Sequence, residues 1–161
     1  RRVALGFLCG IAALVLARPS RESLLIGALV AAAGEAVRIW AAGHLEKSRE
    51  VTTSGPYRFT RHPLYAGSAV ITLGFVIASR SLVVAVIAAA YLGLTYTAAI
   101  RREEAWLTAQ FGAAYPEYKA GRIGGVARTF SLERALRNRE YRAVAGIALA
   151  LAVLAVKMAI R

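Results

Sequence analysis

The chain has 161 residues, 58% of them hydrophobic, and a formal net charge of +12, a length that suits one domain. The apolar content excludes a disordered basic tail, and the single cysteine, Cys9, excludes a disulfide framework and a cysteine-built metal site. What remains is a membrane protein with strongly basic polar ends.

In chain order, residues 3–17 form the first uncharged run. Arg1-Arg2, this run and Ala17 together make a signal-peptide pattern. Arg18-Pro19 is a poor cleavage context, however, and a second apolar segment follows at once, so a helical hairpin turning through 18–21 is expected. That second segment, 23–42, is apolar apart from Glu35 and Arg38. The third, Pro63–Ser79, has 17 uncharged residues and the fourth, 81–100, has 20. At about 1.5 Å per residue the fourth crosses the roughly 30 Å hydrocarbon core. Segment 101–142 is too polar to span. Its first part, 101–111, continues the fourth helix, Gly112 permits a break, and Tyr115-Pro116-Glu117-Tyr118 follows. Gly121, Gly124 and Gly125 mark a flexible turn, and 131–137 reads as a short interfacial helix with an apolar and a basic face. Asn138 is placed to N-cap the last apolar segment, 143–160, whose one charge, Lys157, is near enough to the end to snorkel.

The expected fold class is therefore all-α: an integral membrane helical bundle of about five transmembrane helices, one domain over 1–161. A soluble bundle does not fit, because no helix carries the charged outer stripe of a surface helix. Five spans put the N-terminus, the loop around 43–62 and segment 101–142 on one side. That side holds fifteen Lys and Arg residues, against Arg18, Arg21, Arg80, Lys157 and Arg161 opposite. Under the positive-inside rule both long loops are cytoplasmic. The basic balance then reflects topology and contact with anionic membrane lipids, and no groove-reading element argues for nucleic acid.

Ionisable residues inside a membrane segment are costly and are functional candidates. Glu35 and Arg38, three apart on one helical face, fit either a structural ion pair or a substrate site. In the second case the Arg fork receives a carboxylate or phosphate. The loop Ser54-Gly55-Pro56-Tyr57-Arg58-Phe59-Thr60-Arg61-His62-Pro63-Leu64-Tyr65-Ala66-Gly67 leads into the third helix. Pro63 suits a first helical turn, whose free N–H groups favour anions, and His62 and Tyr65 project from that turn together. Glu103-Glu104, just past the fourth span, read equally as a solvated charge cluster or as a receptor for an ammonium group. The two histidines and these carboxylates lack the spacing of a metal site. No glycine-rich nucleotide fingerprint and no Ser-His-Asp constellation is visible.

Taken in order, Gly34-Glu35-Ala36-Val37-Arg38, the loop from Gly55 to Gly67, Glu103-Glu104 and Phe111-Gly112-Ala113-Ala114-Tyr115-Pro116-Glu117-Tyr118 resemble the isoprenylcysteine carboxyl methyltransferase family. This family belongs to a wider group of integral-membrane methyltransferases that includes phospholipid methyltransferases. The resemblance covers a motif core of 34–118 and leaves the terminal helix at 143–160 outside. It implies S-adenosylmethionine as methyl donor, held in a cytoplasmic cofactor-binding region without a Rossmann domain. By the same resemblance residues 49–52, including Val51 and Thr52, line the cofactor together with Tyr57, His62, Pro63, Leu64 and Tyr65. Glu103 contacts the cofactor's polar end, and Arg38 faces a lipidic small-molecule or lipidated-peptide acceptor. An isoprenylcysteine-like carboxylate needs no general base; a phospholipid or other amine does, with Glu35 or Glu104 as the candidates. A sterol-type membrane reductase using a reduced nicotinamide, and a non-enzymatic membrane scaffold, are the competing readings from other classes.

Overall fold

A computed structural model describes residues 2–47, 49–122 and 128–160. Arg1, Arg161 and the turn expected at Gly124 and Gly125 lie outside the described residues. The elements are α1 (Arg2–Leu16), α2 (Arg21–His44), a 3-10 turn (Gly55–Arg58), α3 (Pro63–Ser79), α4 (Leu82–Phe111), α5 (Ala114–Lys119), α6 (Leu132–Arg137) and α7 (Tyr141–Ala159). The fold is all-helical, with no strand among the described residues.

The centre of the bundle is the antiparallel pair α2 and α3. Ser20 and Ser23 form a capping box at the start of α2, which satisfies backbone donors that the first helical turn leaves unpaired. The Ser23 hydroxyl also donates to Ala78 O at 3.2 Å, and Arg18 N donates to Ser79 O at 2.7 Å, so the start of α2 is pinned to the end of α3. Further along, the two backbones nearly touch. A Cβ on Gly27 would lie 2.4 Å from Gly74 O, and one on Gly34 would lie 2.7 Å from Gly67 O. Ala31 and Ala78 lie in the same seam, against Gly74 and Gly27, and are fully buried. This is how helices associate in lipid, where apolar burial gives no driving force and close van der Waals contact does.

The large apolar side chains point outward instead: Phe7, Leu8 and Ile11 on α1, Leu82, Val86 and Leu94 on α4, and Leu149 and Val156 on α7 are all exposed. Three helices, α2, α4 and α7, are long and apolar enough to cross a membrane; α3 and the apolar stretch Gly6–Leu16 of α1 are shorter. The 30 residues of α4 extend about 45 Å at 1.5 Å per residue. Its charged end, from Arg101 onward, therefore projects past an apolar span ending at Ile100.

Two sequence expectations change. Asn138 does not N-cap α7. It ends α6 in a non-extended conformation (φ −76°, ψ 3°), unlike the extended backbone an N-cap takes, and Arg139 (φ 62°) turns the chain into α7. Its Nδ2 donates instead to Ala42 O (2.9 Å) and Leu45 O (3.0 Å), satisfying carbonyls at the end of α2. Lys157 does not simply reach for water: its Nζ donates to Leu14 O (2.8 Å) and Val15 O (2.5 Å). A cation at the C-terminus of α1 satisfies open carbonyls and opposes the helix dipole.

Candidate active site

At the end of the bundle where α2 stops, α3 begins and the charged extension of α4 returns, a cavity of about 680 Å³ opens. That is ample for a drug-sized ligand. Val51, Thr52, Tyr57, His62, Pro63, Leu64, Tyr65, Glu103 and Arg38 all line it.

The loop before α3 is folded against the end of α2. Gly55 has φ 57°, and a Cβ there would lie 2.5 Å from the His44 ring, so both backbone and space require glycine. The His44 Nδ1 lies 3.0 Å from Ser54 Oγ. The 3-10 turn then buries Tyr57, whose main-chain carbonyl accepts from the Tyr118 hydroxyl at 2.6 Å. Burial, reinforced by nearby Glu103, pushes the Tyr57 phenol well above its ordinary value, so at neutral pH it is a neutral hydrogen-bonding ring. His62 occupies the N-cap position of α3, with its ring edge-on to Tyr65 at 5.9 Å.

Glu103 and Glu104 diverge. The Glu104 carboxylate accepts from Lys119 Nζ at 2.7 Å and lies 3.2 Å from His62 Nε2 and 3.5 Å from an Arg61 nitrogen. It thereby fastens α5 to α4 and the loop, and it is not part of the cavity wall. Glu103 does line the cavity, with one oxygen 3.9 Å from His62 Nδ1.

Arg38 is heavily engaged. Its Nε donates to Glu140 Oε1 at 2.6 Å, Nη1 donates to the Ser68 hydroxyl, and Nε lies 3.5 Å from Glu35 Oε2. Glu35 itself is buried, neither carboxylate oxygen has a hydrogen-bond partner among the described residues, and it does not line the cavity. The two carboxylates first considered as bases, Glu35 and Glu104, therefore both lie outside the cavity wall, while Glu140 and Glu46 lie in it.

Sequence reasoning missed Glu140, Ser68, Asn138 and Glu46. Glu140 sits in Arg139-Glu140-Tyr141-Arg142, indistinguishable in sequence from ordinary interfacial charge. Glu46 is the hub of a strap: Arg134 Nε donates to it at 2.8 Å, Arg137 and Arg128 nitrogens lie at 3.6 and 3.9 Å, and Arg134 Nη1 also donates to Gly43 O. The Arg134 hydrogen bond holds the Glu46 carboxyl below the usual carboxylate range. Among the described residues no three His, Cys, Asp or Glu side chains converge as a metal-ligand set.

Residues 36–114 match the family model for phospholipid methyltransferase. The matched segment, just under half of the chain, is similar to the wider group of integral-membrane methyltransferases that includes that family. The matched methyltransferase segment begins on α2 and ends as α5 begins, so it supplies the loop, Glu103 and Arg38, whereas the 128–138 strap and α7 with Glu140 lie beyond it. The cobalt-zinc-cadmium resistance protein CzcN of Cupriavidus metallidurans is 34% identical over 97 residues, 59% of this chain and 43% of that protein. The nickel-cobalt-cadmium resistance protein NccN of Alcaligenes xylosoxydans xylosoxydans is 36% identical over 94 residues, 57% of this chain and 44% of that protein. The chain thus aligns with less than half the length of these curated relatives. No solved structure matches it.

Proposed function

We propose that the protein transfers a methyl group from S-adenosylmethionine to a lipidic acceptor drawn from the bilayer. The observation that carries this reading is the cavity: one chamber lined by Glu103, several aromatic rings and Arg38, set at the end of membrane-crossing helices in a methyltransferase segment.

The donor set suits the cofactor. Tyr57, Tyr65 and Trp106 offer ring faces for the adenine and for a cationic sulfonium. Glu103 would take its ammonium or ribose hydroxyl groups, and Arg61 or Lys47 its carboxylate. When bound, the cofactor supplies an electrophilic methyl group. The chain's own contribution is then to position the acceptor, strip its water and hold its charge.

Of the two acceptors considered, the geometry favours an amine over an isoprenylcysteine-like carboxylate. A carboxylate would need a guanidinium with an open face, and Arg38 is already bonded to Glu140 and Ser68 and lies beside Glu35. An amine must shed a proton before it can attack, and Glu140 is a cavity carboxylate placed to accept one. The topology proposed with this reading is multi-pass, with the cavity end in the cytoplasm, where the cofactor is dissolved.

Incubating membranes carrying the protein with methyl-labelled S-adenosylmethionine, then extracting and separating the lipids, tests both activity and acceptor. Label in an amine-bearing lipid is the expected result. Label in a carboxyl ester, released by mild base, would restore the carboxylate reading. No label, together with calorimetry showing no cofactor binding at about millimolar concentration, where ordinary Michaelis constants are exceeded, would end the methyltransferase reading.

A further inference from the structure

The strap is built inside out for a helix in water. On α6, Arg134 turns inward, its side chain only 15% exposed and bonded to Glu46. Leu132 and Leu136, about one turn apart, face outward at 61% and 51% exposed. A helix on a soluble surface does the reverse, hiding its apolar residues and showing its charges. The apolar face continues past α6 through a run of rings. Phe130 lies 6.4 Å from the His44 ring, His44 lies 6.5 Å from Trp40, and Trp40 lies 6.4 Å from Phe59. Of these, Phe130, Trp40 and Phe59 are exposed, as is Tyr141 at the start of α7. The depth of this face is fixed by hydrogen bonds. Ser131 N donates to Gly43 O at 3.1 Å, and Asn138 donates to Ala42 O and Leu45 O. The strap therefore lies beside the last turn of α2, where the apolar segment 23–42 ends.

Exposed arginines border the face: Arg58 beside Phe59, and Arg137, Arg139 and Arg142 along the strap and into α7. Arg139 and Arg142 have no ion pair among the described residues, and Arg137 comes no nearer to Glu46 than 3.6 Å. Within 128–142 the one exposed carboxylate is Glu133.

We propose that this face is a docking surface for anionic phospholipid: Leu132, Leu136, Phe130 and the Trp40–Phe59 pair sink to the acyl boundary, and Arg137, Arg139 and Arg142 take lipid phosphates. The inference goes beyond the methyltransferase reading and does not depend on it. An apolar patch rimmed by charge marks either a membrane or a protein site, and its position decides between them. It adjoins the ends of α2 and α7, both long and apolar enough to cross a membrane, at the level where exposed Trp and Tyr form an interfacial belt. An amphipathic helix lying there buries its apolar side chains and offers its cations to anionic headgroups, and the guanidinium fork matches phosphate. Docking fixes the strap and, through Arg134 on Glu46 and through Asn138, one wall of the polar cavity.

The test uses the full chain in nanodiscs, with phosphatidylglycerol as the anionic probe because it carries no amine and cannot be an amine acceptor. In phosphatidylcholine discs, spin-labelled phosphatidylglycerol is expected to be immobilised with about fivefold preference over spin-labelled phosphatidylcholine, the factor for one cation near an anionic surface. The triple variant Arg137→Gln, Arg139→Gln, Arg142→Gln should lose most of that preference, whereas Arg101→Gln with Arg102→Gln, exposed on α4, should keep most of it. Should the triple variant lose its thermal transition, the Arg139→Gln, Arg142→Gln double variant replaces it, with the same expectation. A nitroxide on Leu136→Cys in Cys9-free protein should be more accessible to oxygen, which partitions into lipid, than to a water-soluble nickel chelate. No preference in wild type, a preference that survives loss of the strap arginines in folded protein, or equal loss from the α4 pair overturns the proposal. A Leu136 label more accessible to nickel than to oxygen places the face in water, and one shielded from both places it under a protein partner; either result also overturns it.

Discussion

Glu103 and Glu104 are chain neighbours on α4, about 100° apart around the helix, and replacing each by Gln should have opposite consequences. Glu103 lines the cavity with its side chain 44% exposed, whereas the Glu104 side chain is 20% exposed and bound to Lys119, His62 and Arg61. A hydrogen bond to a charged group contributes about 1.5–3 kcal/mol, and roughly 1.4 kcal/mol is tenfold in affinity. Because solvent reaches Glu103, the lower end applies, and Glu103→Gln should weaken S-adenosylmethionine binding by about tenfold with little change in thermal midpoint. Glu104→Gln removes charge from two half-exposed cations, Lys119 and Arg61, at about 0.2–1 kcal/mol each, and from the histidine contact. A total of about 1–2 kcal/mol should lower the midpoint by a few degrees, at about 2–4 °C per kcal/mol for a chain of this length, while cofactor affinity changes less. Calorimetry for affinity and a thermal melt for stability, on both variants in the same detergent, separate the two roles. Equal loss of affinity from both substitutions, or lost binding in Glu104→Gln with an unchanged midpoint, would refute the division of labour.

Arg38→Lys keeps the charge but not the bonds to both Glu140 and Ser68, so methyl transfer should fall about ten- to a thousandfold while cofactor affinity stays within about threefold, as each 1.36 kcal/mol of lost positioning is tenfold; near-normal turnover would remove Arg38 from the site. Gly34→Ala places a Cβ 2.7 Å from Gly67 O and Ile71 N, and since backbone must move, about 1–3 kcal/mol of stability should be lost. Gly93→Ala, with open space around the new Cβ, should be neutral or stabilising by up to about 1 kcal/mol; melts of the two variants provide the comparison. The Glu46 carboxyl titrates below its ordinary value of 4.5 in the folded chain, so its stabilisation is full above that pH and is lost as pH falls through the lower folded value. Glu46→Gln should therefore flatten the acid limb of the midpoint-versus-pH curve, and an unchanged limb would mean the strap does not depend on that charge. Cysteines placed at the exposed residues Lys119 and Leu132 in Cys9-free protein should resist an impermeant reagent in intact cells, and labelling of either would invert the proposed orientation.

Much of the molecule is written in local sequence. Apolar runs of the right length predict α3 to the residue and α1, α2 and α7 to within two, and the start of α4 to within one, its end requiring the separate reading that 101–111 continues the helix; in lipid every backbone polar group must be paired within its own helix. Ser131 caps α6 through its side chain, as a polar residue before an apolar turn suggests. The loop residues that line the cavity were named through the family resemblance, while Gly55-Pro56 and His62-Pro63 by themselves mark only where the chain turns and where α3 starts. What the tertiary structure alone decided are the pairings across distant chain. Arg38 meets Glu140 across 102 positions and Arg134 meets Glu46 across 88, and no periodicity encodes which of several similar interfacial charges will meet. Adjacent Glu103 and Glu104 show the same limit at the shortest range: the residue type is identical, and only the packing of α5 and the loop against α4 fixes which one is held by Lys119 and which is left facing the cavity.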